Sequence, residues 1–242
     1  MINTKGLIIS EIKYGEGNKI LTVLSAEHGK IQISASGIRS FKNKNSAGCS
    51  LFGYSDFILK EKHDRSIYSL SSAESIAGFY SIRNDVVKIA FAAYFCELIG
   101  EVTRQDMPAD EIVKLALNTL YYLSENDMFS HVKPVFELRL MLETGLAPNL
   151  SSCMLCRTTE HLSYFSSSEG GVLCNGCGSV GHISCDTLAA MRYVLTADSK
   201  KIFAFTVSDG VLTELSQISE QYIISHIERM PKTLRFLKEI VV

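Results

Sequence analysis

Two neighbouring stretches, Lys19-Ile20-Leu21-Thr22-Val23-Leu24-Ser25 and Lys30-Ile31-Gln32-Ile33-Ser34-Ala35, decide how the front of the chain folds. Both are rich in β-branched and aliphatic residues, and the second alternates apolar with polar side chains, the repeat of a half-buried strand. Ala26-Glu27-His28-Gly29 between them reads as a turn. Outward from this pair, Gly6-Leu7-Ile8-Ile9-Ser10 reads as an earlier strand, joined through the turn Tyr14-Gly15-Glu16-Gly17-Asn18. After a polar loop over 36–50, Asp56–Lys60 and Ser66–Leu70 read as a fourth and fifth strand around Glu61-Lys62-His63-Asp64-Arg65. Five short strands in residues 1–80 predict a small barrel. The OB-fold is the five-stranded barrel most often used to hold oligonucleotides, and an SH3-like barrel fits the same pattern.

From residue 81 the apolar period lengthens to that of a helix. Val86, Val87, Ile89, Phe91, Tyr94, Phe95, Leu98, Ile99 and Val102 are apolar almost all round, which suits a helix over 84–104 inside a body. Further helices are expected over 110–124 and 132–144, the latter stopped by Gly145. Others follow from an N-cap at Ser184 through Leu195, over 214–230, and over 232–240. The expected class is α+β: an OB-fold barrel at 1–80, then a helical domain at 81–242 with a four-cysteine zinc ribbon inserted at about 150–182.

That insert rests on Cys153-Met154-Leu155-Cys156 and Cys174-Asn175-Gly176-Cys177, two C-x2-C knuckles separated by 17 residues. A two-residue spacer lets both thiolates of a knuckle turn toward one ion, and Zn²⁺ takes four such ligands in a tetrahedron. His161–Ser166 and Gly171–Leu173 can form two strands around Ser167-Ser168-Glu169-Gly170. One structural zinc is expected on Cys153, Cys156, Cys174 and Cys177, because four thiolates leave no open position for catalysis. His182 and Cys185 flank the second knuckle as alternative ligands, while Cys96 reads as a small buried side chain and Cys49 as a loop residue without a partner.

Function classes narrow by exclusion. Gly15-Glu16-Gly17-Asn18-Lys19 lacks the spacing of a phosphate-binding loop and leads into a strand, so nucleotide hydrolysis is unsupported. His226-Ile227-Glu228 follows both knuckles, whereas in zinc deaminases the H-x-E precedes them. No enzyme is expected. Met1-Ile2-Asn3-Thr4-Lys5 has no secretory pattern, and Glu97 and Glu101 interrupt the most apolar helix, so a cytoplasmic, nucleoid-associated protein without membrane contact is expected. A disulfide framework does not suit that compartment. The net charge of -2 and pI near 6.3 argue weakly against a polyanionic partner. Its distribution argues the other way, with ten Lys or Arg against seven Asp or Glu in residues 1–80, and 14 against 19 thereafter.

The order of motifs resembles the RecO family of DNA-repair proteins over essentially the whole chain. The resemblance is carried by Tyr14-Gly15-Glu16 before Ile20–Leu24, His28-Gly29-Lys30, and Gly37-Ile38-Arg39-Ser40-Phe41-Lys42. It continues through Phe136-Glu137-Leu138-Arg139-Leu140, Gly145–Leu150, Gly170-Gly171-Val172-Leu173-Cys174, and Leu234-Arg235-Phe236-Leu237. It implies a recombination mediator that binds single- and double-stranded DNA and anneals complementary strands. With RecR, such a protein helps load RecA onto DNA coated by single-strand-binding protein, whose acidic C-terminal tail the helical body receives. Arg139 beside Phe136 is a candidate for that tail, and a salt bridge on a core helix is the plainer reading.

The DNA contacts are expected on Lys13, Lys19, Lys30, Arg39, Lys42 and Lys44, whose cationic ends can track phosphates, with Tyr14 stacking on a base. A zinc-ribbon scaffold that binds proteins and no DNA is the alternative.

Overall fold

The computed structural model describes residues 1–40, 42–61 and 67–240. Lys62–Arg65 of the expected turn, Ser66 of the expected fifth strand, and Phe41 lie outside the described residues. The chain divides into two compact units, Met1–Glu125 with Pro231–Val242, and Asn126–Met230. This division does not coincide with the change from strand to helix near residue 81.

In the first unit β1 (Ile2–Tyr14), β2 (Asn18–Ser25), β3 (Gly29–Ala35), β4 (Tyr54–Lys60) and β5 (Tyr68–Ala77) close a barrel in the order β1-β2-β3-β5-β4. All neighbours are antiparallel except β3 and β5, which run parallel at Ile33 with Tyr68 and Ser34 with Ser69. This order settles the choice between small barrels for the OB-fold. Alternation along the strands sends Ile8, Leu21, Val23, Ile31, Ile33, Phe57 and Leu59 into the barrel core, all buried. Burying a side chain of this size contributes about 1.5–3 kcal/mol.

β1 extends beyond the expected Gly6–Ser10 because a bulge between Ile8 and Ser10 lets pairing with β2 resume through Tyr14. β5 likewise runs on past Leu70 through a serine-rich segment that lacks strand-like composition but pairs with β4 as far as Ala77, across two register irregularities.

The edge of β3 is closed by residues 104–109. Lys30 N–H donates to the Arg104 carbonyl at 3.1 Å, Asp106 N–H to His28 at 3.0 Å, and Ala109 N–H to Ala26 at 2.8 Å. An edge so covered is not open to another strand. The approach requires glycine at 29, which has φ +63°, and whose Cβ would stand 2.2 Å from the Arg104 oxygen.

The same unit contains α1 (Tyr80–Arg83), α2 (Val86–Val102), α3 (Asp110–Glu125) and α7 (Lys232–Ile240). Asp85 caps α2 by accepting from the N–H groups of Val87 and Lys88 at 2.8 and 3.1 Å. Of the apolar surround of α2, Phe91, Tyr94, Phe95, Leu98 and Ile99 are buried, Val87, Ile89 and Val102 are half-buried, and Val86 in its first turn is exposed.

The second unit contains α4 (Phe129–Glu143), the hairpin β6 (Leu162–Ser166) and β7 (Gly171–Cys174), α5 (Cys185–Thr196) and α6 (Asp209–Ile227). α4 packs on α5 and α6, with Val132, Val135, Phe136, Met191, Leu215 and Tyr222 in its core. Ser184 caps α5 as expected, accepting from Thr187 N–H at 3.2 Å. α6 starts earlier than the expected residue 214, because Ser208 supplies an N-cap that Asp209-Gly210 disguises as a turn.

Candidate metal centre and nucleic-acid interface

The ribbon begins at Asn149, whose N–H donates to Gly170 at 2.9 Å and whose carbonyl accepts from Val172 at 3.0 Å. A side chain at Gly171 would stand 2.3 Å from that carbonyl oxygen, so glycine is needed for the entering strand to lie against β7. Arg192 of α5 holds the next turn by donating from Nε to the Leu150 carbonyl at 3.0 Å. Each knuckle then bends on its own backbone: Arg157 N–H donates to Cys153 at 3.0 Å, and Gly178 N–H to Cys174 at 2.8 Å.

These turns bring the sulfurs of Cys153, Cys156, Cys174 and Cys177 within 4.8 Å of one another, with Cys156 and Cys174 separated by 3.6 Å. Four thiolates about 2.3 Å from a shared tetrahedral ion stand about 3.8 Å apart, so the donor set fits a metal ion. Backbone donation from Cys156, opposed by burial, lowers the Cys153 thiol to about 6. Hydrogen bonds with Cys156 and Cys174 push Cys177 up to about 12. A metal ion bound here would take the thiolate form of each cysteine and displace the thiol protons.

Among the described residues this is the sole such cluster of cysteine, histidine and carboxylate groups. His182 does not join it; its ring meets Tyr164 edge-on at 5.8 Å. Cys185 opens α5 and is exposed, while His226 stacks on Tyr222 at 4.2 Å. Cys49 and Cys96 are buried, and burial pushes both thiols up to about 12.

The basic candidates fall into two groups. Lys13 and Tyr14 at the end of β1, and Arg39, Lys42 and Lys44 in the loop after β3, are all exposed, and hydrogen bonds tie that loop to the β1–β2 turn at one end of the barrel. Asn18 accepts from Gly37 N–H at 2.8 Å, Arg39 N–H donates to Gly17 at 3.1 Å, and the Arg39 guanidinium reaches the Glu16 carbonyl at 3.1 Å. Asn43 grips the Gly37 carbonyl at 3.1 Å from the other side. Asn18 and Asn43 were not among the expected site residues, and Asn and Gly in tight turns are the signal that marks them.

The other two lysines are engaged elsewhere. Lys19 pairs with Glu11 at 2.8 Å, with only 19% of its side chain exposed. Lys30 donates to the Gly100 carbonyl, capping the last turn of α2. Arg139 is similarly structural: it donates to the carbonyls of Val194 and Ala197 at 3.3 and 3.1 Å, closing the end of α5, and pairs with Glu143 at 3.4 Å.

The site and fold define a class of protein that combines a five-stranded, oligonucleotide-type barrel with helices and a four-thiolate centre. Residues 1–79 match the model described as "Recombination protein O N terminal", and residues 83–235 match "Recombination protein O C terminal". The chain is 35% identical to the DNA repair protein RecO of Acetivibrio thermocellus over 98% of its own length and 96% of the relative's. It is 33% identical to the DNA repair protein RecO of Alkaliphilus metalliredigens, over 95% of each chain. The chain belongs to the RecO family. Among the described residues no helix is long and apolar enough to cross a membrane.

Proposed function

We propose that this chain is a recombination mediator that binds single- and double-stranded DNA, anneals complementary strands, and makes and breaks no covalent bonds. The observation that carries the reading is the gathering of Lys13 and Tyr14, at the end of β1, with Arg39, Lys42 and Lys44 of the loop after β3, which Asn18 and Arg39 tie to the β1–β2 turn. Flexible cations at this end neutralise phosphates, and Tyr14, 59% exposed, offers a face to a base. Such contacts are blind to sequence and leave base edges free, which is what pairing with a second strand demands. Lys19 and Lys30 contribute to the field of this region more than to direct contact, given their partners.

In the same reading the four sulfurs hold one zinc ion. Cys153, Cys156, Cys174 and Cys177 would be its ligands, and its role is structural, since four thiolates fill the tetrahedron. DNA contact is assigned to the barrel at 1–80, and the remaining residues to protein partners: RecR, the acidic tail of single-strand-binding protein, and through them RecA. The place of action is the cytoplasm, at the nucleoid.

The test is a strand-annealing and binding assay on zinc-quantified protein. Single-strand affinity is expected to fall with salt with a log-log slope of about -0.7 per neutralised phosphate. Changing Arg39, Lys42 and Lys44 together to glutamate is expected to weaken single-strand binding markedly at moderate salt. Binding indifferent to salt and to these changes would sink the reading; a folded, metal-loaded chain that never shifts DNA would instead point to a protein-binding scaffold.

A further inference from the structure

Leu234-Arg235-Phe236-Leu237 has a use that packing alone does not exhaust. One face of α7 is structural: Leu234 and Leu237 are 0% and 3% exposed, and the helix packs on α2. The opposite face, at helical spacing 232, 235, 236 and 239, is exposed along its whole length. It presents Lys232, Arg235 and Phe236, flanked by Lys238, against the single carboxylate of Glu239. Phe236 is 46% exposed between these cations. Among the described residues nothing pairs with the Arg235 guanidinium.

The charge of the first unit depends on this helix. The unit carries 17 Lys and Arg against 15 Asp and Glu, and without Pro231–Val242 the balance would be even at 14 against 14. The second unit carries 7 against 11. Cations interleaved with an exposed aromatic ring form the pattern that grips single strands, by phosphate contact and base stacking.

We propose that the exposed face of α7 is a second binding site for single-stranded nucleic acid, with Lys232 and Arg235 on phosphates and Phe236 stacked on a base. The proposal rests on the reading that the barrel end grips a first strand. A cleft of about 530 Å³ lies between the outer face of the barrel and the start of α7, lined by Glu11, Glu97 and Glu101 against Lys30 and Lys232. With Glu11 paired to Lys19, Glu97 and Glu101 balance Lys30 and Lys232, so a phosphate chain running through the cleft gains no net attraction within the screening length of about 10 Å at ordinary salt. Two strands, one on each side of the cleft, satisfy the charges better than one continuous strand. Holding two strands on one chain is what annealing uses.

The chain contains no tryptophan, so Phe236→Trp in the full-length protein makes a fluorophore that reports α7 alone. The probe is an oligothymidylate sized to one barrel footprint of about 4–16 nucleotides. We expect saturable quenching that persists when Arg39, Lys42 and Lys44 are changed to glutamine, and disappears when Lys232 and Arg235 are changed to glutamine. In the annealing assay Arg235→Gln with Phe236→Ala should slow pairing by about tenfold, the scale of one lost stacking contact. All these side chains are exposed, and circular dichroism checks that the helix persists.

No quenching at Phe236→Trp, with quenching intact in a separate Tyr14→Trp protein, overturns the α7 site and leaves the barrel reading standing. Quenching at Phe236→Trp that vanishes with the barrel substitutions also overturns it, because α7 would then be an extension of the first footprint. Silence at both positions sinks the underlying reading.

Discussion

Glu97 of α2 closes the amino end of α7 by accepting from the backbone N–H of Thr233 at 2.8 Å, from its hydroxyl, and from the N–H of Lys232 at 3.1 Å. A carboxylate at this position satisfies orphan donors and opposes the positive end of the helix dipole. Glu97→Ala is therefore expected to lower stability by about 0.5–2 kcal/mol, the range for a lost N-cap. Urea denaturation measures the loss, and proteolysis should cut first near residue 231.

The four-sulfur centre makes a prediction about metal removal. Zinc sites of this kind contribute on the order of 10–16 kcal/mol of apparent binding free energy at neutral pH, far more than the small core around Cys153, Leu173 and Cys174 can supply. Native mass spectrometry should find one zinc per chain. Cys153→Ser or a strong chelator should unfold the ribbon, seen as rapid amide exchange over 149–183, while the barrel keeps its protection.

Asn18 carries no charge, so its role separates from that of the lysines. Asn18→Ala removes the acceptor for Gly37 N–H and loosens the loop bearing Arg39, Lys42 and Lys44. One hydrogen bond is worth about 1 kcal/mol, so single-strand affinity should fall about fivefold. The salt slope should stay unchanged, since every cation remains. A slope that drops with Asn18→Ala would show that the loop no longer reaches the strand.

His131 links the second unit to pH. Its ring is 5% exposed, packs against Phe205 at 5.3 Å, and neither nitrogen has a hydrogen-bond partner. Burial holds the imidazole below its ordinary value of 6.5, and the nearby Asp209 carboxylate pulls only weakly the other way. The folded ring stays neutral where the unfolded chain already binds a proton. The unfolded state thus takes up more protons, and this contribution to stability, fully present above pH 6.5, is lost as pH falls from there toward the folded value. His131→Phe should flatten that part of the stability profile measured by denaturation between about pH 7 and 5.

Local signals were legible and distant partners were not. The cysteine knuckles declare themselves because a two-residue spacing already dictates how both sulfurs point. Strand alternation in Lys30–Ala35 and the N-cap at Ser184 are equally local. By contrast, nothing near Lys30 reveals that its ammonium group reaches Gly100, 70 residues away, and nothing near Lys19 gives its pairing with Glu11 across the hairpin. The same limit hid Asn18, whose value comes from Gly37 across the barrel end. A serine-rich β5 and a glycine in the first turn of α6 show composition yielding to pairing and capping.

Because α7 belongs to the first unit although the second is threaded between them in sequence, synthesis on the ribosome meets an awkward interval. The barrel and α2 emerge early, yet the seat for Leu234 and Leu237 stays bare until more than a hundred further residues have been made. At about 5–20 residues per second that gap lasts several seconds, long enough for a nascent apolar groove to require protection.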